Sequence, residues 1–159
     1  MSENDLHRAV KQNNNIEQVK KLLNENNTEY CNAYDDQTTG YTPFYDGCQA
    51  GRTEIVKLMI AHDKIDANKK NNWNQSPLHT ACRFGYTEII ILLLSSKRYI
   101  AINDKTSRGI TALDRAAYWG KVPCVKLLLS DARGKQNMLF SIILSSLSDL
   151  PICYFVFDS

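Results

Sequence analysis

Three stretches of this chain open in the same way. Thr42-Pro43-Phe44-Tyr45, Ser76-Pro77-Leu78-His79 and Thr111-Ala112-Leu113-Asp114 begin 34 and then 35 residues apart. Nine residues after each opening residue stands a glycine: Gly51, Gly85 or Gly120. An apolar run follows each glycine: Ile55-Val56-Lys57-Leu58-Met59-Ile60, Ile89-Ile90-Ile91-Leu92-Leu93-Leu94 and Cys124-Val125-Lys126-Leu127-Leu128-Leu129. A weaker copy runs from Leu6-His7-Arg8-Ala9 to Val19-Lys20-Lys21-Leu22-Leu23. This period constrains the fold more than composition does. One such unit buries too little apolar surface to stand alone, whereas stacked units share a continuous core, which takes about three or more. Four fit, over about 5–31, 40–68, 74–103 and 109–132.

Each unit has a local physical logic. Thr42, Ser76 and Thr111 are N-cap residues whose hydroxyls can accept from the orphan amides of a first turn. Pro43 and Pro77 fall at the first helical position, where the missing N–H costs nothing. The glycine then permits a left-handed helix end. A second helix is expected to open at Thr53, at Thr87 and near Pro123, with Ile55, Val56, Met59 and Ile60 forming a broad apolar stripe. Polar stretches from Asp35 to Gly40, Lys69 to Asn74 and Asp104 to Gly109 predict hairpin fingers between units. The fold class is therefore an all-α solenoid of helix-turn-helix units.

At these residues the chain resembles the ankyrin-repeat family, whose T-P-L-H-x-A signature is nearly complete in Ser76-Pro77-Leu78-His79-Thr80-Ala81. The family's finger asparagine matches Asn68 and Asn103, and Asn32 matches with a two-residue insertion. The likeness covers about four fifths of the chain. Tyr45 and Asp114 replace the signature histidine, Gly47 replaces a small alanine, Asn74 replaces the finger glycine, and the first copy lacks the Thr-Pro pair. Looser packing is expected around copies one and two. The resemblance implies that the His79 imidazole bonds the finger backbone.

The domain is expected to span 1–135, with a hydrophobic appendage over 136–159. Between 138 and 157, 14 of 20 positions are apolar, interrupted by Asp149 and Pro151. Our reading is a C-terminal cap with one helix near 136–148 and a short strand-like tail at 152–157. A membrane anchor over 138–157 is the alternative, and a truncated gene end is a further one. No secretory signal pattern opens the chain.

Five cysteines, Cys31, Cys48, Cys82, Cys124 and Cys153, form no C-x-x-C pair, so neither a disulfide framework nor a zinc knuckle is indicated. Cys48 and Cys82 share the register position of Ala117, where a small buried side chain is needed. This points to a reducing cytoplasm, with the nucleus as the second compartment. His79 and Cys82 have ligand-like spacing but no second pair, so we read them as structural and expect no metal and no cofactor. His62 is read as a charge favourable to the end of an outer helix. Among three histidines no nucleophile, base and orienting group assemble, so no enzyme is expected. Nineteen basic and 17 acidic residues leave a formal net charge of +2. Lys69-Lys70, Lys97-Arg98 and Lys105 with Arg108 read as solvated faces, so no nucleic-acid partner is expected.

What remains is recognition of another protein by a monomeric scaffold, adaptor or inhibitor. By the resemblance, partners dock on the concave face made by the finger tips and the exposed side of each first helix. Position by position this gives Tyr41, Gln49, Asn72, Trp73, Gln75, Arg83, Phe84, Ser107, Arg108, Tyr118 and Trp119. The quartet Arg83, Phe84, Tyr118 and Trp119 is the expected hot spot, because Tyr, Trp and Arg are common interface anchors. The competing reading is that Phe84 and Trp119 pack between helices.

Overall fold

A computed structural model describes residues 5–12, 16–25, 28–35 and 38–131. The expected domain end at 135, the appendage 136–159 and Cys153 lie outside the described residues. Four helix pairs follow one another: α1 (Asp5–Gln12) with α2 (Ile16–Asn24), α4 (Pro43–Gln49) with α5 (Thr53–Ile60), α6 (Pro77–Phe84) with α7 (Thr87–Ser95), and α8 (Ala112–Tyr118) with α9 (Val122–Ser130). A single turn, α3 (Thr28–Cys31), sits before the first finger. Among the described residues there is no strand. No helix there is long and apolar enough to cross a membrane.

The first helices α1, α4, α6 and α8 pack each against the next, and the second helices α2, α5, α7 and α9 form the other layer. The apolar stripe predicted for each second helix fills the space between. Ile55, Val56, Met59, Ile89, Ile90, Leu93 and Cys124 are wholly buried. Against them lie Phe44, Leu78, Ala81, Ala112 and Ala116 from the first helices. The core is thus one continuous seam, as stacking requires.

The caps form where the sequence places them, with one difference. Thr42 Oγ1 accepts from the Tyr45 amide at 3.1 Å, and Thr111 Oγ1 from the Asp114 amide at 3.2 Å. Asp114 answers by accepting from the Thr111 N–H at 2.8 Å, so this replacement of the signature histidine closes its own helix end. Ser76 instead brings its hydroxyl to within 2.8 Å of His79 Nδ1.

The fingers are tight turns, not strand-paired hairpins. Each closes on a two-way bond. Asn71 N–H donates to Gln75 O and its side chain accepts from Gln75 N–H. Thr106 and Ile110 repeat this four residues apart, whereas Asp35 and Tyr41 do so six residues apart. That is the two-residue insertion seen from Asn32, and it falls inside the first finger. Two residues before each cap the backbone turns left-handed, with φ 64° at Gly40, 57° at Asn74 and 76° at Gly109. Asparagine is the side chain that tolerates this region best, which is why Asn74 can stand for glycine. Gly40 has no such latitude: a Cβ there would lie 2.4 Å from Asn72 Oδ1. Gly40→Ala is expected to lower stability by roughly 1–2 kcal/mol from backbone strain alone, and Asn74→Gly to cost nothing; thermal unfolding of the two variants checks both.

Side chains stitch one unit to the next. Asn32 donates to Lys64 O and accepts from Asp66 N–H; Asn68 donates to Tyr99 O and accepts from Ala101 N–H, 35 residues further on at both ends. The looser packing expected around copies one and two is not found at the substituted positions of copy two. Phe44, Tyr45 and Cys48 are buried, and a Cβ at Gly47 would come within 3.3 Å of Val56 and 3.6 Å of Val10. Gly47 is small because the neighbouring helices approach it closely. Tyr45 takes over the histidine's role with a longer reach. Its hydroxyl donates to Gln75 Oε1 at 3.2 Å and accepts from Asn71 Nδ2 at 3.3 Å, both in the next finger. Burial pushes its phenol up to about 12.

Candidate protein interface

The histidines and thiols fall to structure. His79 is buried; its Nε2–H donates to Ile110 O at 3.2 Å, while Nδ1 accepts from the Ser76 N–H at 3.2 Å. The finger contact implied by the resemblance is therefore present. Burial lowers its pKa to about 4, so the ring is neutral near pH 7. His7 Nδ1 lies 2.8 Å from Asp46 and Nε2 lies 3.0 Å from Ala33 O. Cys31, Cys48, Cys82 and Cys124 are buried free thiols, and burial pushes the thiols of Cys48 and Cys82 well up. Among the described residues no group of three or more His, Cys, Asp and Glu could hold a metal ion.

One expectation about loop charges is corrected, beginning at the end of α5. The carbonyls there accept from the Arg98 guanidinium: Ile60 O at 2.7 Å, Ile65 O at 3.0 Å and His62 O. Arg98 is thus not part of a solvated face. Lys69 and Lys70 are also engaged, the first 4.4 Å over the Tyr34 ring and the second 2.8 Å from Asp104. A run of loop cations looks solvated in sequence because its acceptors come from a different unit.

Of the eleven candidate interface residues, seven line one groove between the second and third fingers and the inner helices α6 and α8: Trp73, Gln75, Arg83, Ser107, Arg108, Tyr118 and Trp119. Its volume is about 620 Å³. The capping turns set this arrangement. Each finger ends at the residue before a cap, and the next helix presents its last turn beside that finger. Tyr41, Gln49, Asn72 and Phe84 lie outside the groove lining. Tyr41 stacks on Tyr45 at 4.5 Å and tilts against Trp73 at 6.3 Å. Asn72 spends its N–H and its Nδ2 on Thr39 O and Thr38 O of the preceding finger, and Gln75 Oε1 is taken by Tyr45. Gln49 is half-buried near the end of α4.

The quartet forms a continuous surface ridge. Arg83 Cζ lies 5.4 Å from the Phe84 ring and 5.3 Å from the Trp119 ring, and Trp119 meets Tyr118 edge-on at 5.4 Å. Phe84, Trp119 and Tyr118 remain 40%, 45% and 48% exposed. Packing between helices therefore does not account for Phe84 or Trp119, although Phe84 also stacks on Tyr86 at 5.9 Å.

Arg115 was missed. It lines the groove from the position that Asp46 and Thr80 occupy in the preceding units, and its Nε is buried without an acceptor. Burial lowers its pKa, and the neighbouring Arg83 and Arg108 lower it further, with Tyr45 opposing. The available signal was a cation four residues after a cap, where the second and third units carry Asp46 and Thr80.

Stacked units, each a closed finger turn followed by two packed helices and tied to the next by asparagine, define a helical-repeat solenoid with an aromatic, basic groove on its finger side. The family model described as Ankyrin repeats (3 copies) matches residues 6–106 and 64–139. The chain belongs to the ankyrin-repeat family, whose members are generally protein–protein interaction modules. Among solved structures it is similar to EF0377, an ankyrin repeat protein, at 31% identity and a TM-score of 0.70. That likeness covers 84% of this chain and 64% of the other, so the chain spans less than two thirds of that protein's length. No curated protein matches it.

Proposed function

We propose that the protein is a non-catalytic interaction module, a scaffold, adaptor or inhibitor, that grips another protein through the concave surface of its fingers and inner helices. The observation that carries this is the exposure of Trp73, Phe84, Tyr118 and Trp119 around Arg83 on one face. Large aromatics left in water are costly unless a partner covers them. Two rings and a guanidinium held in mutual contact also lose little freedom on binding. Tyr41, Gln49, Asn72, Gln75, Ser107 and Arg108 extend the surface around this centre. A non-catalytic role is favoured by the chemistry on the page, since His79 and the buried thiols are committed to packing and hydrogen bonds. In this reading the protein acts in the cytoplasm as a monomer and needs no cofactor.

Arg83→Ala and Tyr118→Ala test it. Both side chains are exposed, so each variant is expected to keep the wild-type thermal unfolding midpoint while losing capture of the partner in a pull-down from native extract. A loss of stability together with capture would show that these residues hold the helices instead, and would sink the reading.

A further inference from the structure

The finger-side groove of the third and fourth units holds three arginines, Arg83, Arg108 and Arg115, against one aspartate, Asp114. Its Oδ2 is engaged by Thr111, accepting from the N–H at 2.8 Å and from Oγ1 at 2.7 Å, and its single negative charge leaves the arginines in excess. None of the three guanidinium groups makes an ion pair or donates a hydrogen bond among the described residues. Arg83 lies against the Phe84 and Trp119 rings. Several other cations near the fingers are answered internally: Lys11 by Asp35 and Asp46, Lys70 by Asp104, Arg98 by carbonyls. The result is an excess of positive charge inside a concavity of about 620 Å³ walled by Trp73, Tyr118 and Trp119. Gathering like charges in a partly desolvated groove is unfavourable on its own, and an anion that accepts from planar guanidinium forks relieves it.

We propose that this groove binds an acidic peptide segment of the partner protein, its carboxylates taken by Arg83, Arg108 and Arg115 and one apolar side chain seated against Trp73, Tyr118 and Trp119. The proposal rests on the reading of this face as the recognition surface and narrows it to a chemistry. An extended nucleic acid strand fits less well. It would need unpaired cations repeated along its track, but towards the first two units the same face offers Tyr41 and Gln49, and its cations are paired, Lys11 with Asp35 and Asp46 and Arg8 with Asp5.

The test uses the full chain against a displayed library of random twelve-residue peptides. Enriched sequences are made with fluorescein as selected, with every Asp and Glu changed to Asn and Gln, and with those positions changed to phosphoserine; affinity is read by fluorescence anisotropy and the site by hydrogen exchange. The expected result is enrichment of acidic sequences carrying an aromatic or aliphatic residue, with protection within 73–84 and 106–119. The Asn/Gln form should bind at least about tenfold more weakly, and Arg108→Ala, on an exposed finger, at least about fivefold more weakly, both differences shrinking at high salt. Non-acidic peptides that protect the same region would overturn the acidic assignment and leave the recognition surface standing. Peptides that protect α5, α7 and α9 would overturn both. Tighter binding of the phosphoserine form or of a twelve-nucleotide oligothymidylate, a dimer of the chain that Arg108→Ala dissolves, or no enrichment at all would each overturn the proposal.

Discussion

Arg98→Ala is expected to destabilise the repeat array by about 3–5 kcal/mol, the largest effect of any substitution outside the apolar seam. One guanidinium serves three carbonyls, Ile60 O, His62 O and Ile65 O, at the close of the second unit. A hydrogen bond from a charged donor contributes about 1.5–3 kcal/mol, and bonds from one planar group are not independent, hence a figure below their sum. In thermal unfolding followed by circular dichroism this corresponds to a fall of roughly 10 °C or more. Arg98→Lys should recover only part of it, because an ammonium is a point charge and cannot reach three acceptors with a fixed fork. The contact with Asp63 at 3.8 Å is not the cause; that carboxylate is fully exposed, and Asp63→Asn should leave unfolding unchanged. An Arg98→Ala variant within about 1 kcal/mol of wild type would show that water replaces the guanidinium at no cost.

Acidification should cost about 3 kcal/mol through His79 alone. Its pKa in the fold is about 4, against an ordinary value of 6.5. As pH falls below 6.5 the unfolded chain takes up a proton at this site and the folded chain does not. Stability attributable to His79 is therefore whole above about pH 7, is lost between 6.5 and 4, and falls no further below 4. Burial is the main cause and outweighs the bond to Ile110 O, which favours the charged ring; a proton on Nδ1 would face the Ser76 N–H that now donates to it. Urea unfolding of wild type and His79→Asn at intervals from pH 7 to 4 isolates the term, because other titrating groups are common to both. The wild type should show the steeper loss; parallel curves would mean that the folded ring accepts its proton as readily as the unfolded one.

The structure and the sequence agree most closely where interactions are short-range. Thr42 and Thr111 cap from within three residues, Asn74 adopts the glycine backbone of Gly40 and Gly109, and α5, α7 and α9 start at Thr53, Thr87 and Val122, where the second helices were expected. The candidate interface was legible in part for the same reason. Register, read through the family resemblance, placed Trp73, Arg83, Arg108, Tyr118 and Trp119 on one face, and they line one groove. Register could not show that Gln75 and Asn72 are occupied by the preceding unit's Tyr45, Thr38 and Thr39, since those contacts cross 30 and more residues.

The sequence by itself determined the unit and its register among the described residues, because caps, left-handed turns and apolar spacing act over a few residues and repeat visibly. Only the tertiary structure decided what each loop and groove cation does. Arg98 and Arg115 are alike in a list of residues. Arg98 lies against carbonyls 33 to 38 positions earlier in the chain, and Arg115 lies beside two further arginines with its Nε unsatisfied. A charge is structural or free according to the acceptors that neighbouring units bring within about 3 Å, and no local pattern encodes that distance.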